Sequence, residues 1–168
     1  MRRWYTYLNM NTIWVIGSVV AFLVGVLWFL GMMRTNIVES HPEQSLFIQG
    51  AASLASLDGQ YIGVAHGYTG TSWQGKTIFQ QKGSGINRFR YDSGLTEKYP
   101  FKLSLATALR DSNKEVIKLD YNQEGNPWWL TYIVDEMVET GPNEYLGKVH
   151  VRITDDIVFT LGYFSLKK

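Results

Sequence analysis

Residues 101–121 read FKLSLATALRDSNKEVIKLDY. Phe101, Leu103, Leu105, Thr107 and Leu109 alternate with Lys102, Ser104, Ala106, Ala108 and Arg110. A period of two is that of a strand with one face turned to a core. Asp111-Ser112-Asn113-Lys114 is a turn cluster. Beyond it Ile117, Leu119 and Tyr121 alternate with Val116, Lys118 and Asp120. The stretch is an antiparallel hairpin with one apolar and one mostly polar face.

The same texture extends in both directions. Upstream, Gln60–His66, Lys76–Gln81 and Ile86–Tyr91 are short strand candidates, divided by Gly67, Gly70, Gly75 and the turn Lys82-Gly83-Ser84-Gly85. Downstream, Tyr132–Glu139 and Tyr145–Ile153 flank the turn at 140–144, and Ile157–Leu166 is apolar on both faces. Asn126-Pro127-Trp128-Trp129 interrupts the strands, as a short helix or an end cap does. Seven or eight strands at regular spacing within residues 58–168 predict a mainly β domain, an antiparallel barrel or sandwich.

The rest of the chain is of another kind. Ile13–Met33 reads IWVIGSVVAFLVGVLWFLGMM, and no charged residue occurs from Trp4 to Met33. As a helix these residues rise about 31 Å, enough for a hydrocarbon core of about 30 Å. Trp4, Tyr5, Tyr7 and Trp14 suit the headgroup layer on the N-terminal side. Arg2 and Arg3 precede the run, and Arg34 alone follows closely before Glu39. The positive-inside rule then keeps the N-terminus in the cytoplasm and exports the C-terminal domain to the periplasm or cell exterior. The run exceeds a signal-peptide core and no A-x-A-like site follows, so an uncleaved signal anchor is expected. Gly17, Ala21 and Gly25 line one helix face with small side chains, the pattern on which another membrane helix packs.

The chain thus divides into a cytoplasmic flank (1–12), a transmembrane helix (13–33), a linker (34–57) and an exported domain (58–168). His41-Pro42 breaks the linker, and Leu46, Phe47, Ala51, Leu54 and Leu57 predict a short helix after it. Of the 168 residues 45% are hydrophobic, and the net charge is +1. Three of the sixteen basic residues flank the apolar run, which leaves thirteen against fifteen acidic ones beyond it, net −2. That balance argues against a nucleic-acid partner. The absence of cysteine excludes disulfides, thiolate metal sites and cysteine nucleophiles.

Gly70-Thr-Ser-Trp-Gln-Gly75-Lys76-Thr77 meets the phosphate-loop pattern G-x-x-x-x-G-K-[ST]. That loop must open a helix, yet Gly83 and Gly85 arrive within eight residues of Thr77. Tight turns, with Trp73 plugging or capping a barrel, are the preferred reading. His41, His66 and His150 lack metal-ligand spacing, so no metal site is expected. Lys148, His150 and Arg152 share one strand face, read as solvated or paired with Glu136 or Asp135 across the hairpin. Asp135-Glu136 and Asp155-Asp156 point to opposite faces within each pair, which forms no ready acid–base couple. No catalytic signature appears, and no cofactor is expected. The many aromatics exceed what a small core needs, and Trp73, Trp128, Trp129 and His150 are the candidates for a ligand pocket at a barrel mouth.

Four segments carry a resemblance: Ser72-Trp73-Gln74-Gly75-Lys76, Gly85-Ile86-Asn87, Tyr145-Leu146-Gly147-Lys148-Val149 and Thr160-Leu161-Gly162-Tyr163-Phe164. Over residues 58–168 the chain resembles small lipocalin-like β-barrel proteins of unassigned function in bacteria. Gly70 and Trp73 stand three apart, unlike the Gly-x-Trp that opens true lipocalins. The resemblance implies a barrel with an apolar cavity and transfers no catalytic residue. The expectation is a non-enzymatic, single-pass membrane protein. Its barrel binds a lipid or pigment, or else it is an accessory subunit held to a larger membrane complex through its helix.

Overall fold

The structure is a computed structural model and describes residues 9–55 and 57–168. Arg2, Arg3, Trp4, Tyr5 and Tyr7 therefore lie outside the described residues. Eight strands form: β1 (Gly59–Ala65), β2 (Trp73–Phe79), β3 (Ser84–Tyr91), β4 (Gly94–Thr107), β5 (Glu115–Asp120), β6 (Ile133–Gly141), β7 (Glu144–Arg152) and β8 (Val158–Lys167). Each is antiparallel to its neighbours in chain order, and β8 pairs back on β1 to close a barrel. Closure removes every sheet edge, so no strand is left to template aggregation.

The deciding hairpin is β4–β5, with Leu103 opposite Leu119 and Leu105 opposite Ile117. Phe101, Ile117, Leu119 and Tyr121 enter the interior beside Tyr61, Met137 and Phe164. Leu105, near the strand end, is half exposed. β4 stops at Thr107 rather than Arg110, because the following residues turn back over the outer wall, where the Leu109 amide donates to Glu136.

The barrel has two unlike ends. Connections 66–72, 92–93, 121–132 and 153–157 lie at one, and 80–83, 108–114 and 142–143 at the other. The second end is plugged by Leu57, which is fully buried. At the first, residues 126–129 run into a short 3-10 helix (Trp128–Tyr132).

The apolar helix and the linker are not separate from the barrel. Helix α1 (Met10–Glu39) opens at Asn9, whose side chain caps the Asn11 and Thr12 amides, and passes Arg34 without a break. Residues 35–39 contain no Gly or Pro, and Thr35 and Val38 gain burial against the barrel. His41-Pro42 ends the helix, as proline at the next turn requires. Helix α2 (Glu43–Gln49) is shorter and earlier than the spacing of Leu46–Leu57 suggests. It buries Phe47 on the outer wall among Val38, Val116, Val138, Leu146 and Tyr163. That cover explains why β6 and β7 are buried on both faces although one face of β7 carries Lys148 and His150.

One glycine shapes the wall. Gly75 has φ +122° and sits at a register shift in the β2–β3 pairing; a β-carbon there would lie 2.1 Å from the Tyr61 carbonyl oxygen. We expect Gly75→Ala to lose about 2–4 kcal/mol of stability, combining backbone strain with a steric clash, by chemical denaturation in detergent.

Candidate functional site

The barrel interior is filled at its plugged end and hollow at the other. The hollow is a cavity of about 440 Å³ with an almost wholly apolar wall. Trp73, Phe89, Tyr99, Trp129 and Phe164 supply aromatic surface, and Ile133, Val149 and Leu161 aliphatic surface. The volume lies in the ordinary range for small-molecule sites, about 300–1,000 Å³.

The local sequence explains how this wall is built. Strict alternation would turn Trp73 and Lys76 to opposite faces. The irregularity between Trp73 and Gly75 shifts the parity of β2, so both face inward. Tyr99 has φ +63° and falls at the register shift where β4 opposes Ile86 and Asn87. A tyrosine in the left-handed region carries strain, held here by edge contacts with Phe89 and Trp129.

The cavity floor is charged. Lys76 is 2% exposed, and its Nζ donates to Asn87 Oδ1 (2.8 Å), Tyr121 OH (2.6 Å) and Asp135 Oδ2 (2.9 Å). These contacts use all three ammonium donors. Tyr121 in turn donates to Asp135 Oδ2 (2.7 Å), and Trp73 Nε1 to Asn87 Oδ1 (3.0 Å). The Phe101 and Phe164 rings approach the ammonium to 5.1 and 5.0 Å. Burial lowers the Lys76 pKa, while Asp135 pulls it back up. Burial raises Tyr121 well above its ordinary value, and the Asp135 charge adds to this. The floor is a closed, internally neutralised polar cluster under an apolar chamber. Its donors are spent within the cluster, and the walls above it accept apolar surface.

The expected site residues fall in three places. Trp73 and Trp129 line the cavity. Trp128, 76% exposed, stands on the rim against Tyr132 and does not line the chamber. His150 is not at the mouth: it is fully buried on the outer wall, between Glu136 (3.2 Å) and Thr160 (3.3 Å). Its face is not solvated either, since Lys148 is equally buried, bonded to Asp111 and stacked 4.6 Å from the Phe47 ring centre. The reason is the cover of α1 and α2, which strand alternation alone does not reveal. Gly17, Ala21 and Gly25 lie on the bare part of α1, and beyond the local helix backbone nothing lies within 4 Å of where a β-carbon at Gly17 or Gly25 would sit.

Sequence reasoning missed the floor. Lys76 stood in the phosphate-loop pattern, but it lies in the middle of β2, and only a three-residue 3-10 helix, Gln80–Lys82, follows that strand. Asp135 does point away from Glu136, into the barrel. The readable signal was the face Ile133, Asp135, Met137, an acid between two apolar residues. Among the described residues no group of three His, Asp or Glu side chains is placed to hold a metal.

No protein-family model matches the sequence, and no curated protein matches it. A crystal structure of a protein from Thermomonospora curvata is similar in fold: TM-score 0.54, 16% identity, covering 74% of this chain and 84% of that one.

Two outcomes follow for the buried groups. Lys76→Met leaves Asp135 buried and unpaired, and should cost about 3–5 kcal/mol in denaturation, with Lys76→Met/Asp135→Leu recovering most of it. The second concerns alkaline pH. Burial pushes Tyr61 up to about 12 and raises Tyr121 above its ordinary 10. Neutral phenols then add stability that is full below pH 10 and is lost as pH rises towards the folded-state values. Tyrosinate absorbance should show these groups ionising together with unfolding, not before it.

Proposed function

We propose that this chain is a single-pass membrane protein with a non-enzymatic, lipocalin-like barrel that holds an apolar or amphipathic small molecule, such as a lipid or pigment. α1 anchors it, with the N-terminus in the cytoplasm and the barrel in the periplasm or outside the cell. The observation that carries the reading is the apolar cavity of about 440 Å³, open at one end and floored by the Lys76–Asp135 pair. Burying apolar guest surface contributes roughly 25 cal/mol per Å². The aromatic walls give this contact shape, and a single polar headgroup of the guest remains near the mouth or reaches the floor. α1 supports the anchor: thirty residues, hydropathy 2.5 over its most apolar window, and none of that window buried on the barrel.

A second reading makes the protein an accessory subunit of a larger membrane complex. It is favoured by the uncovered stripe Gly17, Ala21, Gly25, which lets another helix approach closely. A stoichiometric partner lost on Gly17→Leu/Gly25→Leu supports that role, and unchanged association removes it.

The ligand reading is tested by mass spectrometry of organic extracts from the full chain purified in mild detergent. One apolar compound should be retained at near-equal stoichiometry, and Val149→Trp, which fills the chamber, should abolish it. An empty barrel, or a compound indifferent to Val149→Trp, contradicts the reading.

A further inference from the structure

The direction of α1 relative to the open end of the barrel determines what the cavity faces. Contacts climb the two elements together. Gly31 lies on the Phe159 ring, where a β-carbon would come within 2.7 Å. Arg34 Nε donates to the Leu161 carbonyl (2.8 Å), and the Thr160 amide donates to Thr35 Oγ1 (2.9 Å). Val38 packs with Tyr163. α1 thus runs alongside β8 in the same direction. Its apolar N-terminal part leaves the barrel past the start of β8, which is the open end.

No spacer separates the span from that end. Gly31 belongs to the uncharged run, and Arg34 is its first charge. Arg34 Nη2 also donates to the Tyr68 hydroxyl (3.2 Å), and Tyr68 lines the cavity. The level at which α1 would leave the hydrocarbon is therefore the level of the cavity mouth. The rim there is aromatic and aliphatic: Trp128 is 76% and Ile153 51% exposed, with Tyr91, Leu95, Tyr132 and Ile157 also bare. Amphipathic rings beside exposed aliphatics are what an interfacial surface carries.

We infer that the open end of the barrel docks on the lipid leaflet through this rim, so that the cavity opens into lipid rather than water. This rests on the reading of α1 as a membrane span. The leaflet beside α1 covers the rim, because the unbroken helix already holds the rim at that depth. Arg90, Arg152, Asp92, Asp155 and Asp156 bring charges of both signs to this end. Docking is accordingly apolar and does not require anionic lipid. A guest then passes from the acyl region into the chamber without crossing water, which explains an apolar site open at one end only.

The chain has no cysteine, so single labels are unambiguous. Full-length Trp128→Cys and Ile153→Cys, labelled with an environment-sensitive nitrobenzoxadiazole fluorophore, are placed in phosphatidylcholine nanodiscs containing doxyl-labelled lipid. Leu23→Cys reports the span and Lys82→Cys the plugged end. We expect loss of fluorescence at 128 and 153 comparable with that at 23, unchanged at high salt, and none at 82. Labels at 128 and 153 as unquenched as at 82, with 23 quenched, overturn the docking and leave the anchor intact. An unquenched label at 23 overturns both. Two rim positions guard against one poorly folding variant. The readout is independent of whether a guest occupies the cavity, so an empty but docked barrel contradicts only the ligand reading.

Discussion

The fold depends on one continuous helix being welded to one strand. Gly31 has no side chain, so the α1 backbone lies directly on the Phe159 ring. A turn later Thr35 accepts the Thr160 amide, and in the last turn Glu39 takes two bonds from Arg110. Thr160 Oγ1 donates to the same carboxylate, and His150 and Glu136 continue the network into the wall. Each contact is modest alone, but together they leave no hinge between the apolar span and the barrel. The orientation of the cavity is thereby fixed by the helix.

A second constraint acts inside. An eight-stranded barrel is just wide enough for side chains to fill it or for one small guest. Here the plugged half is filled and the open half is not. The boundary is the Lys76–Asp135 pair with Tyr121 and Asn87. A buried ion pair seldom adds net stability over apolar packing. It does set an internal geometry, since side chains from β2, β3, β6 and the first residue after β5 must meet with all ammonium donors used.

Much of the architecture was legible in the chain. Alternation around Phe101–Tyr121 and the turn clusters marked seven or eight strands, most to within a few residues, because one-faced burial and tight turns both leave local marks, but β4 begins at Gly94, seven residues before the alternation starts. The apolar helix was visible for the same reason. What stayed hidden was non-local. The helical continuation through residues 35–39 follows from burial against β8. The dry environment of Lys148 and His150 follows from α1 and α2 lying over them. The shared inward position of Trp73 and Lys76 follows from the irregularity between Trp73 and Gly75, which alternation cannot anticipate. Trp73 and Trp129 could be read as cavity residues because aromatics near turns often end at a barrel mouth. His150 could not be assigned, because its strand has two buried faces.

A chamber fit for an apolar guest and a mouth set in lipid are the two properties proposed for this barrel. Methyl-labelled full-length protein, otherwise deuterated, in nanodiscs of protonated phosphatidylcholine tests both together by nuclear Overhauser contacts. A mouth set in lipid should give acyl-chain contacts at the cavity methyls of Ile133, Val149 and Leu161, as well as at methyls of the span. Cavity methyls that contact only water, while the span contacts acyl chains, would contradict it.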